Sequence, residues 1–99
     1  MFKQIYTGNT VAFTVVPTID GVEQPLEGTR IGFIVKKAKT DTDNEALIIA
    51  ESESGQFALS AEQTDIGEGR YWYEIRWYAL DAVYTLDMGT VIFTQTVYN

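Results

Sequence analysis

One stretch of the sequence decides the fold, and it reads Gly-Glu-Gly-Arg-Tyr-Trp-Tyr-Glu-Ile-Arg-Trp-Tyr from Gly67 to Tyr78. It contains both tryptophans of the chain. Side chains of a β-strand alternate between two faces, and one face here is large and apolar: Tyr71, Tyr73, Ile75 and Trp77. The other face mixes charged and aromatic residues: Arg70, Trp72, Glu74, Arg76 and Tyr78. The stretch therefore predicts a central strand whose first face is buried and whose second face is half-exposed.

The glycines before this strand predict a corner in the chain. Gly67 and Gly69 permit a positive φ, which a tight turn requires. In immunoglobulin-like sandwiches, a corner tyrosine opens strand F two residues before the disulfide cysteine, and its hydroxyl bonds to the backbone just upstream. Tyr71 has that position relative to the glycines, and Tyr73 stands where the cysteine would be. The alternative is that Tyr71 is one more aromatic residue of the core.

Turn residues and alternating apolar residues divide the remaining chain into short strands. We expect strands over residues 1–7, 10–16, 29–37, 46–50, 56–59, 70–79 and 84–97, with Gly89 as a bulge in the last one. Ser60 and Gln63 have the spacing of a capping box, which predicts one helical turn just before the corner. We therefore predict a single all-β domain over residues 1–99, an immunoglobulin-like β-sandwich of about seven strands with one short helical turn.

Two further local patterns predict packing details. Asp20-Gly21 is a strong turn signal, and it predicts a projecting hairpin or loop with Leu26 tucked beneath it as an anchor. Gly32 lies within a predicted strand, where the missing side chain would make room for a large neighbour such as Trp72 or Tyr78.

The composition excludes most familiar catalytic and metal sites. The chain has no cysteine and no histidine, so it lacks disulfides, thiolate ligands and the usual general base. Residues 41–45 resemble the start of a calcium loop, but Ala46 and Ser52 stand where an EF-hand needs a glycine and a bidentate acid. Glu68 and Glu74 would lie about 20 Å apart along an extended strand, which is too far for a catalytic carboxylate pair. We expect no enzymatic activity, no catalytic residue, no metal and no cofactor.

The charge and hydropathy of the chain exclude further classes. The net charge is −7 and the pI is about 4.3, which disfavours nucleic acid and anionic membrane surfaces as partners. No apolar run approaches the length of a transmembrane helix, and the first residues lack the apolar stretch of a signal peptide. We expect the protein to be made in the cytoplasm, with no contact to nucleic acid or membrane.

Several motifs then follow one another in a recognisable order. They are Gly-Asn-Thr at 8–10, Val-Ala-Phe-Thr-Val at 11–15, Leu-Glu-Gly-Thr-Arg-Ile-Gly-Phe-Ile-Val-Lys-Lys at 26–37, Ser-Gly-Gln-Phe-Ala-Leu-Ser at 54–60, Gly-Arg-Tyr-Trp-Tyr-Glu-Ile at 69–75 and Tyr-Thr-Leu-Asp-Met-Gly-Thr-Val-Ile-Phe at 84–93. This order resembles that of the small immunoglobulin-like modules of tailed bacteriophages and prophages. Among them, it is most similar in pattern to the N-terminal domain family of upper baseplate proteins. The resemblance runs from Gly8 to about Phe93. It implies structural assembly rather than catalysis.

The resemblance implies a non-enzymatic structural or assembly protein of a phage or prophage virion, in the tail or baseplate. The chain ends after the module, which favours a small accessory or tail-completion protein over a baseplate anchor. We expect it in the host bacterial cytoplasm during assembly and then in the virion, in contact with other virion proteins or with further copies of itself as a homo-oligomer.

An aromatic patch rimmed by charge is typical of a protein interface. We therefore expect an interface made of Trp72, Arg76 and Tyr78, together with Asp20, Val22 and Leu26 from the hairpin region. Two alternatives stay open. A neighbouring segment of the same chain would cover these aromatic side chains, or the domain would be a carbohydrate- or peptide-binding β-sandwich module.

Overall fold

A computed structural model describes residues 4–95 of the chain. The described part is almost entirely β-structure. Its strands are β1 (Gln4–Tyr6), β2 (Val11–Thr14), β3 (Thr18–Ile19), β4 (Val22–Glu23), β5 (Arg30–Lys36), β6 (Ile48–Ser52), β7 (Gln56–Leu59), β8 (Gly69–Tyr78) and β9 (Val83–Thr94). A 3-10 helix covers Asp43–Glu45, and the short helix α1 covers Ala61–Thr64. The predicted strand ends at residues 1–3 and 96–97 lie outside the described residues.

The aromatic strand β8 lies at the centre of a five-stranded sheet with the order β1-β9-β8-β5-β6. It pairs antiparallel with β5 on one side and with β9 on the other. Its predicted inner face is buried, with Tyr71 and Trp77 each 6% exposed, Tyr73 5% and Ile75 0%. Period-two alternation therefore assigned this face correctly, because large apolar side chains leave water only on the side that meets another layer.

A second layer, made of β2 and β7, packs against the inner face and completes a sandwich-like all-β fold. The contact between the layers is aromatic. The ring of Phe13 in β2 stacks on Phe57 of β7 at 4.9 Å and meets Phe33 of β5 edge-on at 5.2 Å. Phe33 is fully buried and lies 6.4 Å from the Tyr73 ring. These rings join the two layers in a chain that has no cysteine and therefore no disulfide.

The strand order, which was not predicted from the sequence, is consistent with the predicted β-sandwich. β5, β8 and β9 are neighbours in one sheet, as strands C, F and G are, and β2 pairs with β7 as strand B does with E. Seven of the strands form the two main sheets, and β3 and β4 form a separate two-stranded hairpin. The expected count of about seven strands therefore describes the sandwich itself.

The corner before β8 has the geometry that its glycines predict. Gly67 and Gly69 have φ values of 90° and 147°. The Tyr71 hydroxyl donates to the carbonyl oxygen of Ile66 at 2.9 Å and lies 3.0 Å from that of Gly67. Just upstream, Ser60 and Gln63 form the expected reciprocal capping box on helix α1. Side-chain hydrogen bonds therefore hold the turn through which the chain enters the central strand.

The predicted turn at Asp20-Gly21 is present as the β3–β4 hairpin. Asp20 and Gly21 have φ values of 52° and 80°, which is the left-handed pair that a two-residue type I′ turn requires. Leu26 is half-buried and packs against the core, as its role of anchor predicts. Gly32 also makes room as predicted, since a Cβ at this position would lie 3.0 Å from Cε2 of Tyr78.

Two local predictions are wrong. Gly89 is not a bulge, because it pairs regularly with Tyr73; the register shifts instead between Ile75 and Arg76, where Leu86 has no partner in β8. The strand predicted at 46–50 begins two residues later, at Ile48. Leu47 ends the preceding loop by donating its backbone N–H to the carbonyl oxygen of Val35, and β6 pairs with β5 from that point.

Candidate functional site

The outward-facing side of the five-stranded sheet, called here the outer face, carries the predicted interface residues of β8. Trp72, Arg76 and Tyr78 project from it, and all three are half-buried. The strand register gives each one its neighbours. Trp72 lies between Lys36 and Thr90, Arg76 between Gly32 and Thr85, and Tyr78 between Arg30 and Val83. The outer face is thus a mixed surface in which aromatic, apolar and charged side chains alternate.

Arg76 is the centre of an ion-pair network on the outer face. Its guanidinium binds Asp43 through two nitrogens, at 2.8 Å and 3.1 Å, and binds Glu74 at 2.9 Å. Lys36 approaches the same Asp43 carboxylate at 2.8 Å. Thr85 in β9 donates to Glu74 at 2.8 Å. The network connects three strands of the sheet to the 3-10 helix and holds the 38–47 loop against the outer face.

The network changes the acidity of its members. Hydrogen bonds from Arg76 and Lys36 hold the pKa of the Asp43 carboxyl well below its usual range. A hydrogen bond from Arg76 lowers the pKa of Glu74 as well, although burial acts in the opposite direction. The same two carboxylates raise the pKa of Arg76. All three groups are therefore charged at neutral pH and stabilise one another.

The two aromatic side chains are covered by cations of the same chain. Lys39 Nζ lies 5.4 Å from the centre of the Trp72 ring. The Arg30 guanidinium lies 4.3 Å from the centre of the Tyr78 ring and forms an ion pair with Glu51. Such contacts are attractive because the ring face is electronegative. Neighbouring segments thus contact all three predicted interface residues of β8.

The outer face nevertheless exposes apolar side chains that the sequence analysis did not single out. Ile49 of β6 is 54% exposed and Met88 of β9 is 50% exposed. They lie in one row across the sheet, in which Ile49 is opposite Ile34 and Met88 is opposite Glu74. Ile92 is also exposed on this face. Consecutive apolar residues at 48–49 and 91–92 were the available signal, since they place apolar side chains on both faces of a strand.

The structure separates the hairpin residues from the outer face. Asp20 and Val22 are exposed in the separate β3–β4 hairpin. The hairpin's first strand contributes Thr18 and Ile19 to a cleft that also contains Trp77, an inner-face residue of β8. Only Leu26 approaches a predicted partner, because it shares a shallow groove with Tyr78. The six predicted interface residues therefore do not form one continuous patch.

Within residues 4–95, no three acidic side chains are arranged to hold a metal ion. In the same range, neither helix has the length and apolar character that crossing a membrane requires. Comparisons with protein-family models, with curated proteins and with solved structures find no match to the chain.

Proposed function

We propose that this protein is a non-enzymatic structural or assembly protein of a phage or prophage virion, in the tail or baseplate, and that it acts through protein–protein contacts. The order of sequence motifs supports the virion context by resemblance. The outer face supports the mode of action. Its partners in this proposal are other virion proteins or further copies of the chain.

The observation that carries the proposal is the exposure of two apolar side chains, Ile49 and Met88, on the outer face. An outer face that meets only water is polar at alternate positions of its strands. Here Ile49 and Met88 are each about half exposed. Met88 borders a small pocket together with Trp72 and with Glu74, which forms an ion pair with Arg76. Apolar side chains rimmed by fixed charges are typical of surfaces that another protein covers.

The charged side chains of the outer face also favour protein contact over sugar binding. Lys39 lies over the Trp72 ring, where a carbohydrate would need to stack. The network holds Arg76 in one orientation, so the outer face presents a preformed pattern of charge. Preformed surfaces lose little conformational entropy when a partner binds.

The test combines solution mass with incorporation into particles. We expect light scattering after size exclusion to give a mass above that of the 11.1 kDa monomer as concentration rises, or the chain to co-purify with particles from producing cells. The double variant Ile49→Lys with Met88→Lys should lose both properties, because each lysine would have to be desolvated on contact.

Leu80→Lys is the matched control. Among residues 4–95, Leu80 is the most exposed large apolar residue, at 83%, but it lies in the turn after β8 and not on the outer face. It should assemble like the unmodified protein. A folded double variant that self-associates and enters particles normally would contradict the proposal, and so would an unmodified chain that stays monomeric and absent from particles.

A further inference from the structure

We propose that the first part of β9, together with the cleft beside it, binds an extended, positively charged segment of a partner protein by adding it as a strand to the sheet. This inference rests on the proposed function, a protein that acts through protein contacts. It names a second surface, on the inner side of the sandwich, and the kind of partner that fits it.

The first observation is an open sheet edge. β9 pairs with β8 from Val83 to Phe93 on one side. On the other side, the only strand within residues 4–95 is β1, and its pairing stops at Ile92. The edge of β9 from Val83 to Leu86 is therefore open among the described residues. Alternate backbone N–H and C=O groups of an open edge point outward and can pair with another strand.

The second observation is a largely apolar cleft directly beside this edge, which Thr18, Thr85 and Asp87 also line. Its walls include Val16 and Ile19 on one side and Tyr84 and Leu86 on the other, and its volume is about 330 Å³. Trp77 also borders the cleft, and its ring stacks on Tyr84 at 5.4 Å. Ile19 and Tyr84 are 40% and 42% exposed, which is high for apolar residues between two layers.

Edge and cleft together match the geometry of strand addition. In an added strand, every second side chain points to the same side of the sheet. Side chains on the inner side would enter the cleft, while the backbone pairs with β9. Main-chain hydrogen bonds then supply affinity, and the cleft selects apolar side chains at alternate positions. The register shift at Leu86 confines regular pairing to the residues before it.

The third observation is the charge of this region, which identifies the occupant. Residues 4–29 and 77–95 supply the edge, the hairpin and most of the cleft, and they contain no lysine or arginine. They do contain acids, among them Asp20 and Glu23 in the hairpin region and Asp81 just before β9. A second copy would present the same acidic edge and be repelled. A segment with apolar residues at alternate positions and lysine or arginine at its ends has the complementary charge.

The experiment uses a fluorescein-labelled peptide with the sequence Lys-Val-Thr-Val-Thr-Val-Lys and a twin in which glutamate replaces both lysines. Fluorescence anisotropy with the full chain should show saturable binding of the first peptide and at least about 10-fold weaker binding of the twin. Ile19→Glu should weaken binding of the first peptide by about 10-fold or more, because it places a charge in the apolar cleft. Ile19 is exposed, so this variant should fold.

A pair of charge reversals tests the acidic surroundings. Glu23→Lys with Asp81→Lys should weaken binding by about 10-fold. Glu62→Lys with Glu68→Lys changes the net charge equally, but Glu62 lies in helix α1 and Glu68 lies in the corner before β8. Binding should therefore change by less than about 2-fold. Equal loss in both double variants would show a general charge effect and overturn the proposal.

Other results would also overturn it. These are absence of saturable binding at millimolar peptide, equal binding of the two peptides, and normal binding by Ile19→Glu. Self-association that Ile19→Glu abolishes would identify a second copy as the occupant instead. The proposed function is tested independently through Ile49 and Met88 on the outer face. Strand addition at β9 and the proposed function can therefore fail separately.

Discussion

The hydroxyl of Tyr71 donates a hydrogen bond to the carbonyl oxygen of Ile66, 2.9 Å away and five residues earlier in the chain. This bond closes the turn through which the chain enters the central strand. The Tyr71 ring is buried and packs edge-on against Phe93 at 5.2 Å. One side chain therefore joins the corner to the core.

Tyr71→Phe tests the corner, since it removes the hydroxyl and keeps the ring. We expect a loss of about 1–2 kcal/mol in the free energy of unfolding, because a partly buried carbonyl loses its partner. Urea unfolding followed by fluorescence measures this loss. Tyr84→Phe is the control, because the Tyr84 ring is exposed and stacks on Trp77 without contributing to the corner. A loss no larger than that of the control would show that the ring alone matters.

Gly32→Ala tests the contact between Gly32 and Tyr78. A Cβ would lie 3.0 Å from the Tyr78 ring, and the Arg30 guanidinium packs on the face of that ring. We expect destabilisation of about 1–2 kcal/mol from this overpacking. In a Tyr78→Ala background the same substitution should cost less, and a double-mutant cycle from chemical denaturation measures the difference. Additive effects would mean that the ring moves aside freely.

Asp43→Asn tests the ion-pair network. The pKa of Asp43 is lower in the folded state than in the unfolded chain, so its contribution to stability is present at neutral pH and declines as pH falls below about 4. Because Asp43 is about half exposed, we expect the substitution to cost about 0.5–1 kcal/mol at pH 7. The cost should shrink towards pH 2, and it should shrink in 1 M salt.

The matched control for the network is Asp81→Asn. Asp81 is exposed in the turn before β9, and the same substitution there should leave the free energy of unfolding within about 0.5 kcal/mol. Urea denaturation at several pH values compares the two variants. If the loss of stability in Asp43→Asn stays constant from pH 7 to pH 2, the charge of Asp43 is not its cause.

Thr29→Val tests the link between the loop before β5 and the central strand. The Thr29 hydroxyl accepts a hydrogen bond from the indole N–H of Trp77 at 3.0 Å and donates to the carbonyl oxygen of Leu26 at 2.8 Å. Valine keeps the shape and leaves the indole N–H of Trp77 unpaired, while the Leu26 carbonyl oxygen keeps its bond from the Thr29 backbone N–H. We therefore expect a cost of about 1–3 kcal/mol in thermal or urea unfolding. Thr29→Ser retains the hydroxyl, and it should recover most of that stability.

Much of the fold could be predicted because it follows from local rules. The inner face of β8, the capping box of Ser60 and Gln63 and the turn at Asp20-Gly21 each depend on residues close together in sequence. Alternation, capping and positive φ act over a few residues, so they are visible in the chain itself. The position of the bulge was not predictable in this way, because it depends on how β8 and β9 align along their whole length.

The candidate surfaces could be predicted only in part. Trp72, Arg76 and Tyr78 do share a face, as their spacing predicts. Two contacts could not be predicted from the sequence: Asp43 pairs with Arg76, 33 residues away, and Lys39 lies over the Trp72 ring. These contacts depend on where the 38–47 loop lies after the strands have paired. The exposed residues Ile49 and Met88 emerge only from the same pairing.

By itself, the sequence of this protein determined its β-sandwich class, the buried face of its central strand and the corner that precedes it. Hydrophobic alternation and glycine placement act over a few neighbouring residues. Because the apolar face has to be buried, they determine which side of the strand faces the core. The tertiary structure alone decided the strand order, the Arg76 network and the open edge of β9 beside its cleft. Those features depend on packing and pairing between segments that are far apart in the sequence. Local patterns of residues do not show which distant segments will meet.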